Sequence, residues 1–124
     1  MAEVATTPFF SIVMPTYNRA AFISSSVSSV INQLFQDWEL IIIDDASTDN
    51  TAAVLLQFRN DPRIRIFRNE TNRERSISRN NGISKSRGSY VCFLDSDDLY
   101  LPGHLQGIHT HIQKLGGPVA FFFT

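Results

Sequence analysis

The amino-acid sequence predicts an α/β fold, with a mostly parallel sheet and helices packed against it. Apolar, β-branched segments typical of buried strands recur roughly every 25 to 30 residues along the chain. Segments with apolar residues at helical spacing lie between these strands. This alternation is typical of βαβ units, in which right-handed crossovers join parallel strands. Acidic residues directly follow two of the strands, and such sheets bind ligands beyond the carboxyl ends of their strands.

The first half of the chain predicts two units of strand and helix. Residues 9–14 form an apolar run that should end at Pro15, because proline cannot continue a central ladder. Apolar residues at helical spacing then predict a helix from about residue 21 to residue 35. A second strand is predicted over residues 39–43. A short helix over residues 51–58 follows a segment rich in helix-capping side chains.

The second half of the chain continues the alternation. Residues 64–67 predict a short third strand, and its central arginine indicates an edge position. The polar stretch over residues 68–85 predicts a loop that leads into a helix, and residues 90–94 predict a fourth strand. The last elements are a helix over about residues 102–115 and a fifth strand over residues 119–123.

Charge and cysteine content limit the class of protein. The chain of 124 residues has 11 basic and 12 acidic side chains, so nothing favours nucleic acid or an anionic membrane as a partner. The single cysteine, Cys92, rules out an internal disulfide and fits a reducing compartment. No leader opens the chain and no apolar run is long enough to cross a bilayer. We expect residues 1–124 to be a soluble, cytoplasmic domain or part of one.

Three strand ends provide side chains that could bind a ligand at one edge of the predicted sheet. The first strand leads into an aromatic turn over residues 15–18, the second into an acid pair at residues 44–45, and the fourth into three carboxylates within residues 95–98. In an extended chain Asp95 and Asp97 lie on one side about 7 Å apart and repel each other by roughly 2 kcal/mol. A divalent cation would reverse the sign of this interaction, although a solvated acidic loop gives the same pattern.

The chemistry of these side chains favours a hard metal ion and an anionic ligand. Carboxylates with neutral oxygens bind Mg²⁺ or Mn²⁺ in preference to zinc, and the sequence has no histidine and cysteine cluster at ligand spacing. Basic side chains in the polar stretch could bind phosphate, or could form a solvated helix face. These residues are Arg73, Arg75 and Arg79.

Other classes of nucleotide or phosphate enzyme fit the same motifs less well. A dinucleotide-binding dehydrogenase or a P-loop NTPase needs a glycine-rich motif after the first strand, where residues 15–18 stand instead. A phosphatase with Asp95 as nucleophile and Asp97 as acid is chemically possible. That family wants threonine or valine where this chain has Leu99. A phosphoaspartate receiver would have its acid pair after the first strand, and here the pair follows the second.

Four segments together resemble a known family. Residues 11–19 read Ser-Ile-Val-Met-Pro-Thr-Tyr-Asn-Arg, and residues 41–49 carry an acid pair and a helix cap. Residues 78–82 read Ser-Arg-Asn-Asn-Gly, and residues 93–98 read Phe-Leu-Asp-Ser-Asp-Asp. In this order they resemble the opening strand, acid pair, Ala-Arg-Asn-x-Gly segment and Asp-x-Asp motif of the inverting glycosyltransferases of family 2. The resemblance implies the GT-A fold, a Rossmann-like and mostly parallel sheet, here truncated after the fifth strand.

The resemblance also implies a nucleoside-diphosphate sugar as donor, most often a UDP-sugar, and Mg²⁺ or Mn²⁺ as cofactor. Thr16 and Tyr17 would line the base pocket, and Asp45 would accept hydrogen bonds from the base. Asp95 would lie near the ribose and the metal ion, and Asp97 would be the principal metal ligand. The implied donor-binding residues are Pro15, Thr16, Tyr17, Asn18, Asp44, Asp45, Arg79, Asp95 and Ser96, with Asp97 and Asp95 as metal ligands.

Parts of the family's machinery lie later in the fold than this chain extends. The general base and most acceptor-binding elements are among them, so residues 1–124 are expected to be the N-terminal donor-binding part of one glycosyltransferase domain. The acceptor would be a saccharide or lipid-linked saccharide of polysaccharide biosynthesis, used in the cytoplasm or at the membrane surface. The apolar strand over residues 119–123 would lack its usual neighbour, which predicts self-association. A noncatalytic nucleotide-binding or assembly module with the same half-fold is the alternative.

Two glycines usual in the family are replaced. Ala46 follows the acid pair, and Glu74 lies in the loop before the Ala-Arg-Asn-x-Gly segment. Side chains other than glycine resist a positive φ. The replacement at Glu74 therefore bears directly on the path of that loop.

Overall fold

The computed structural model describes residues 7–116, which form a sheet of four parallel strands with helices on both faces. The strands are β1 (Phe10–Thr16), β2 (Trp38–Asp44), β3 (Ile64–Arg68) and β4 (Tyr90–Phe93). The helices are α1 (Ile23–Ile31), α2 (Thr51–Leu55) with a 3₁₀ turn over Leu56–Phe58, α3 (Glu74–Lys85) and α4 (His104–Leu115). The predicted α/β class and mostly parallel sheet are confirmed.

The strands lie in the spatial order β3, β2, β1, β4. Every residue of the two central strands, β1 and β2, is buried. Their nearly continuous apolar runs suit this position because helices cover both faces of a parallel sheet. β3 lies at one end of this order, as its central arginine indicated.

The main apolar core lies between one face of the sheet and helices α1 and α4. Phe10, Ile12 and Met14 of β1 project into it because alternate residues of a strand face the same side. Ile23 and Val27 of α1 pack against them. Helix α3 covers the opposite face of β1 and β2. This arrangement leaves the carboxyl ends of the strands open at one edge.

The first strand does not end at Pro15 as expected, since β1 continues to Thr16. The backbone oxygen of Val13 accepts a hydrogen bond from the N–H of Leu94, so Val13 faces β4. Two residues on, Pro15 has the same orientation, but the ladder between β1 and β4 already ends at Val13 and Phe93. The missing N–H of Pro15 therefore costs no ladder hydrogen bond.

The predicted helix over residues 21–35 is too long, because α1 spans only Ile23–Ile31. Gln33 leaves the helix and buries its side chain. Its amide nitrogen donates to the backbone oxygen of Leu101 at 2.7 Å, and its amide oxygen accepts from the N–H of Leu105 at 3.0 Å. These contacts join the end of α1 to the segment that precedes α4.

Two further predictions concern the fifth strand and membrane-spanning segments. The predicted fifth strand over residues 119–123, and the self-association inferred from it, lie outside the described residues and stay predictions. Within residues 7–116, no helix combines the length and the apolar character needed to cross a membrane.

A buried carboxylate joins the amino ends of the strands. Glu39 accepts hydrogen bonds from the Ser11 hydroxyl at 2.6 Å, the Arg87 backbone N–H at 2.6 Å and the Arg65 guanidinium at 2.7 Å. Burial alone would raise the pKa of Glu39, but these hydrogen bonds outweigh it and hold the pKa below its usual range. The network ties β1, β2 and β3 to the turn that enters β4.

We expect Glu39 to make the stability of the fold depend on pH. Because its folded-state pKa lies below the value of 4.5 for a free glutamate, its stabilisation is present above that pH and is lost as the pH falls through the folded-state pKa. Glu39→Gln should lower the free energy of unfolding at neutral pH by about 1.5 to 3 kcal/mol. It should also flatten the loss of stability on acidification. Urea unfolding at several pH values measures both effects, with exposed Glu70→Gln as control.

We also expect the contact between α3 and β1 to exclude any side chain at Gly82. A Cβ added there would overlap Cγ1 of Val13, whose branched side chain is buried and stiff. Gly82→Ala should therefore destabilise the fold by about 1 to 3 kcal/mol. Gly107 lies exposed within α4 with open space around it, so Gly107→Ala should stabilise by about 0.5 to 1 kcal/mol. Equal effects of the two substitutions in chemical denaturation would contradict the packing argument.

Candidate functional site

A pocket lies at the carboxyl edge of the sheet, where β1, β2 and β4 end. Residues predicted from the sequence that line it are Pro15, Thr16, Tyr17, Asp45, Asp95, Ser96 and Asp97. Arg75, one of the basic residues that the sequence offered for phosphate, also lines it, whereas Arg73 and Arg79 do not. Residues that line it without having been predicted for the site are Arg19, Asn72, Glu74 and Ser78. Three strand ends that are far apart in the sequence therefore contribute to one cavity.

Asp45 is held in the pocket by contacts to three segments. Its backbone N–H donates to the Thr16 backbone oxygen at 2.8 Å, which fixes the loop after β2 against β1. Its Oδ1 accepts from the backbone N–H of Arg73 at 2.7 Å and from the side-chain amide of Asn69 at 2.9 Å. Within the described chain, Oδ2 has no hydrogen-bond partner. The carboxylate is thus oriented through one oxygen and leaves the other available to a ligand.

Asp44, the other member of the acid pair, does not line the pocket. Its Oδ1 accepts from the backbone N–H of Ser47 at 3.0 Å, and its Oδ2 accepts from the Arg68 guanidinium at 2.6 Å. Successive side chains of a strand point to opposite sides, so the two neighbouring acids cannot both face the cavity. In this structure Asp44 anchors the loop that follows β2.

Asn18 also lies outside the pocket lining and connects two loops. Its Oδ1 accepts from the backbone N–H groups of Thr48 and Asp49 at 2.8 and 3.3 Å. Its own backbone N–H donates to the Ser47 hydroxyl at 3.0 Å. Asn18 has a φ of 52°, in the left-handed region that asparagine tolerates better than most side chains. The loops after β1 and β2 are therefore fixed to each other.

The acidic residues after β4 form a cluster at the other end of the pocket. Asp95, Asp97 and Asp98 each offer a carboxylate oxygen within 4.8 Å of the others. Hard oxygen donors at this spacing are chemically suited to Mg²⁺ or Mn²⁺. Asp97 and Asp98 are exposed and Asp95 is half-buried, so a ligand can reach all three.

Arginines lie close to the same carboxylates. Arg79 donates to Asp95 Oδ1 at 3.2 Å, and a guanidinium nitrogen of Arg75 lies 3.9 Å from Asp95 Oδ2. Arg19 Nε lies 3.7 Å from Asp97 Oδ2. Arg79 does not line the pocket and reaches it only through Asp95. Both charge signs are therefore present at this end, as a site for a metal ion and a phosphate requires.

The backbone of the acidic loop is held by helix α1. The Ser26 hydroxyl lies 2.9 Å from the backbone oxygen of Ser96 and 2.6 Å from that of Asp98. The Tyr100 hydroxyl donates to the Phe93 backbone oxygen at 2.8 Å. Burial raises the pKa of Tyr100, so this hydroxyl keeps its proton. The loop backbone is thus fixed without using the acidic side chains.

Two residues in the site adopt conformations that favour glycine. Ala46 has a φ of 62° and Glu74 has a φ of 72°. These are the two positions where the resemblance led us to expect glycine. Each loop therefore adopts a positive φ despite the side chain, at an energetic cost of about 1 to 2 kcal/mol.

Comparison with known proteins decides the family. The sequence profile of glycosyl transferase family 2 matches residues 11–122 of this chain. The chain belongs to glycosyl transferase family 2. This membership confirms the resemblance read from the four sequence segments, and it gives no support to a phosphatase that uses Asp95 as nucleophile.

Individual members of family 2 are similar to most of the chain. UDP-Glc:α-D-GlcNAc-diphosphoundecaprenol β-1,3-glucosyltransferase WfgD of Escherichia coli is 41% identical over 96 residues, which cover 77% of this chain and 38% of that protein. GalNAc(5)-diNAcBac-PP-undecaprenol β-1,3-glucosyltransferase of Campylobacter jejuni is 36% identical over 118 residues, which cover 94% of this chain and 37% of that protein. The chain thus spans well under half the length of these two family 2 enzymes.

A solved protein structure has the same fold. The crystal structure of S. aureus TarS 1–349 in complex with UDP-GlcNAc superposes with a TM-score of 0.81 at 30% identity. The match covers 86% of this chain and 31% of that one. The GT-A-like fold predicted for this chain is therefore confirmed, and the chain matches about a third of the length of that larger structure.

We expect glycine at position 46 to stabilise this family 2 chain. Ala46→Gly removes the left-handed strain but increases the freedom of the unfolded chain, for a net gain of about 0.5 to 1 kcal/mol. Ala53 lies exposed within α2, so Ala53→Gly should destabilise by about 0.5 to 1 kcal/mol instead. Thermal unfolding of both variants gives the signs. Destabilisation by both would mean that Ala46 is not strained.

Proposed function

We propose that the whole protein transfers a sugar from a nucleoside-diphosphate sugar, with UDP as the nucleotide, to a saccharide or lipid-linked acceptor. Residues 1–124 form its donor-binding part. The observation that carries this proposal is the pocket itself, which has a free carboxylate oxygen of Asp45 at one end and the acidic cluster at the other. A nucleoside diphosphate combines a base and a metal-binding diphosphate, and so matches both ends.

The base would bind at the end formed by β1 and β2. Thr16 is 3% exposed and its hydroxyl has no hydrogen-bond partner, although it lies in the pocket lining. A buried hydroxyl without a partner is costly, so a ligand that bonds to it gains affinity. Tyr17 is 41% exposed beside it and offers an aromatic face on which a base can stack. Asp45 Oδ2 would accept a hydrogen bond from a ring N–H.

The diphosphate would bind at the end formed by the acidic cluster. Asp97 and Asp95 would hold Mg²⁺ or Mn²⁺, which when bound neutralises the departing diphosphate as a Lewis acid. Arg75 lines the same end and can form a charge-assisted hydrogen bond to phosphate, because its contact to Asp95 is long at 3.9 Å. This chain would thereby orient the donor so that the sugar projects out of the pocket toward an acceptor.

The acceptor and the setting follow from the relatives. The names of the Escherichia coli and Campylobacter jejuni enzymes describe acceptors linked to undecaprenol through a diphosphate. A lipid-linked acceptor of this kind would place the reaction at a membrane surface, and the cytoplasmic side is the one that we propose. Inversion at the anomeric carbon would need a general base from outside residues 1–124, since the resemblance assigns that residue to a later part of the domain.

We expect the purified chain to bind UDP in calorimetric titration, and to bind it more tightly with Mn²⁺ present. Asp97→Asn should weaken binding in Mn²⁺ by at least about tenfold, because it removes a metal ligand. In EDTA the same variant should bind at least as tightly as the wild type, because it removes a negative charge beside the diphosphate.

Asp37→Asn is the matched control, because it removes one exposed carboxylate on the loop before β2 and should leave both affinities unchanged. GDP and dTDP in the same titrations compare the nucleotides. The proposed function is contradicted if none of the three nucleotides binds. It is also contradicted if neither Mn²⁺ nor Asp97→Asn changes the affinity.

A further inference from the structure

Ser78 is a buried polar side chain in the pocket that none of the family motifs assigns to a ligand. It lies on α3, is 0% exposed and contributes to the lining of the cavity. The family segment that residues 78–82 resemble begins with alanine, whereas this chain has a hydroxyl there. A serine hydroxyl can donate one hydrogen bond and accept two.

The hydrogen bonds of Ser78 place it at the base end of the pocket. The side-chain amide nitrogen of Asn69 donates to Ser78 Oγ at 3.2 Å and to Asp45 Oδ1 at 2.9 Å. One amide group therefore bridges the serine hydroxyl and the carboxylate. Since Ser78 accepts this hydrogen bond, its own proton remains to be donated.

The proton of the Ser78 hydroxyl has no acceptor among residues 7–116. Serines in helices commonly donate to a backbone oxygen one turn earlier. Ser84, on the same helix, donates to the Asn81 oxygen at 2.7 Å, and Ser86 donates to the Gly82 oxygen at 3.0 Å. Ser78 makes no such bond within residues 7–116 and lies in the pocket lining, so its proton remains for a ligand that enters the pocket.

We infer that Ser78 is a specificity-determining residue of the donor site, whose hydroxyl donates to a ring carbonyl of uracil while Asp45 accepts the neighbouring N3–H. This inference rests on the proposed function and assigns Ser78 to the carbonyl and N3–H edge of the base, which uracil shares with thymine and cytosine lacks. Uracil carries a carbonyl on each side of its N3–H, so an acceptor beside a donor complements that edge. Cytosine has no hydrogen on N3 and would present a lone pair to Asp45.

The test is calorimetric titration of the chain with UDP and Mn²⁺, comparing the wild type with Ser78→Ala. Alanine is the residue of the family segment and a good helix former, so the variant should fold, as circular dichroism will report. Loss of one neutral hydrogen bond should raise the Kd for UDP by about two- to tenfold. Ser76→Ala, an exposed serine of the same helix, is the control and should leave the Kd unchanged.

Thio analogues separate direct donation from an indirect effect through Asn69 and Asp45. Sulfur is a weak hydrogen-bond acceptor. The wild type should bind either 2-thio-UDP or 4-thio-UDP several-fold more weakly than UDP, whereas Ser78→Ala should bind that analogue and UDP equally. CDP should bind the wild type more weakly than UDP.

Each outcome has a distinct meaning. Equal Kd values for wild type and Ser78→Ala overturn the inference, as does a Ser78→Ala variant that still distinguishes the thio analogue from UDP. Wild-type binding that is indifferent to both thio substitutions overturns it too. If the wild type binds UDP but Ser78→Ala has no effect, the proposed function stands without the inference. If the wild type binds no nucleotide, both fail together.

Discussion

The register between β1 and β2 is the constraint on which the rest of the site depends. The two strands pair in parallel from Phe10 and Trp38 to Thr16 and Asp44, so they end at the same level. One further backbone hydrogen bond, from Asp45 to Thr16, extends this alignment past the last pair. A shift by one residue would turn Asp45 out of the pocket and Asp44 into it, because side chains alternate along a strand. The end of the pocket formed by Thr16 and Asp45 is thus a direct product of sheet geometry.

The backbone strain found in the described residues is concentrated around this pocket. Asn18, Ala46 and Glu74 are the residues other than glycine with positive φ between residues 7 and 116. Asn18 and Ala46 follow the two central strands, and Glu74 opens α3 beside Asp45. Such conformations persist only where the surroundings fix them, as the hydrogen bonds of Asn18 do here. The strained backbone around the pocket therefore lowers the stability of the fold, and the apolar core and the Glu39 network offset this loss.

Sequence patterns predicted the elements well wherever a single physical property determines the structure. The strands follow from continuous β-branched runs, and the location of Thr16, Asp45 and Asp97 at one edge follows from the topology of parallel sheets. The patterns were misleading at Pro15, because they do not show that the ladder between β1 and β4 already ends at Val13. They overextended α1, because the burial of Gln33 depends on a partner almost seventy positions away.

The roles of individual polar residues could not be read from the sequence in the same way. Asp44 and Asp45 have the same side chain, but they point in different directions from the strand. Asp44 therefore binds Arg68 and holds the loop, whereas Asp45 lines the pocket. Ser78 lies within a recognised segment, but its hydroxyl accepts a hydrogen bond from the side-chain amide of Asn69, and the segment does not predict this contact. Such long-range hydrogen bonds leave no periodic signal. The resemblance to family 2 was read instead from the order of four short motifs, and the profile match over residues 11–122 shows the membership.

The attachment of the acidic loop to α1 has a consequence for how new specificities can arise on this fold. The Ser26 hydroxyl and the side-chain nitrogen of Gln33 donate to the backbone oxygens of Ser96, Asp98 and Leu101, and not to the side chains of that loop. Its exposed side chains can therefore be exchanged while the path of the chain is preserved. The loop is thus a fixed backbone with exchangeable side chains, and exposed Leu99, which lies outside the acidic cluster, is the position where substitutions should disturb it least.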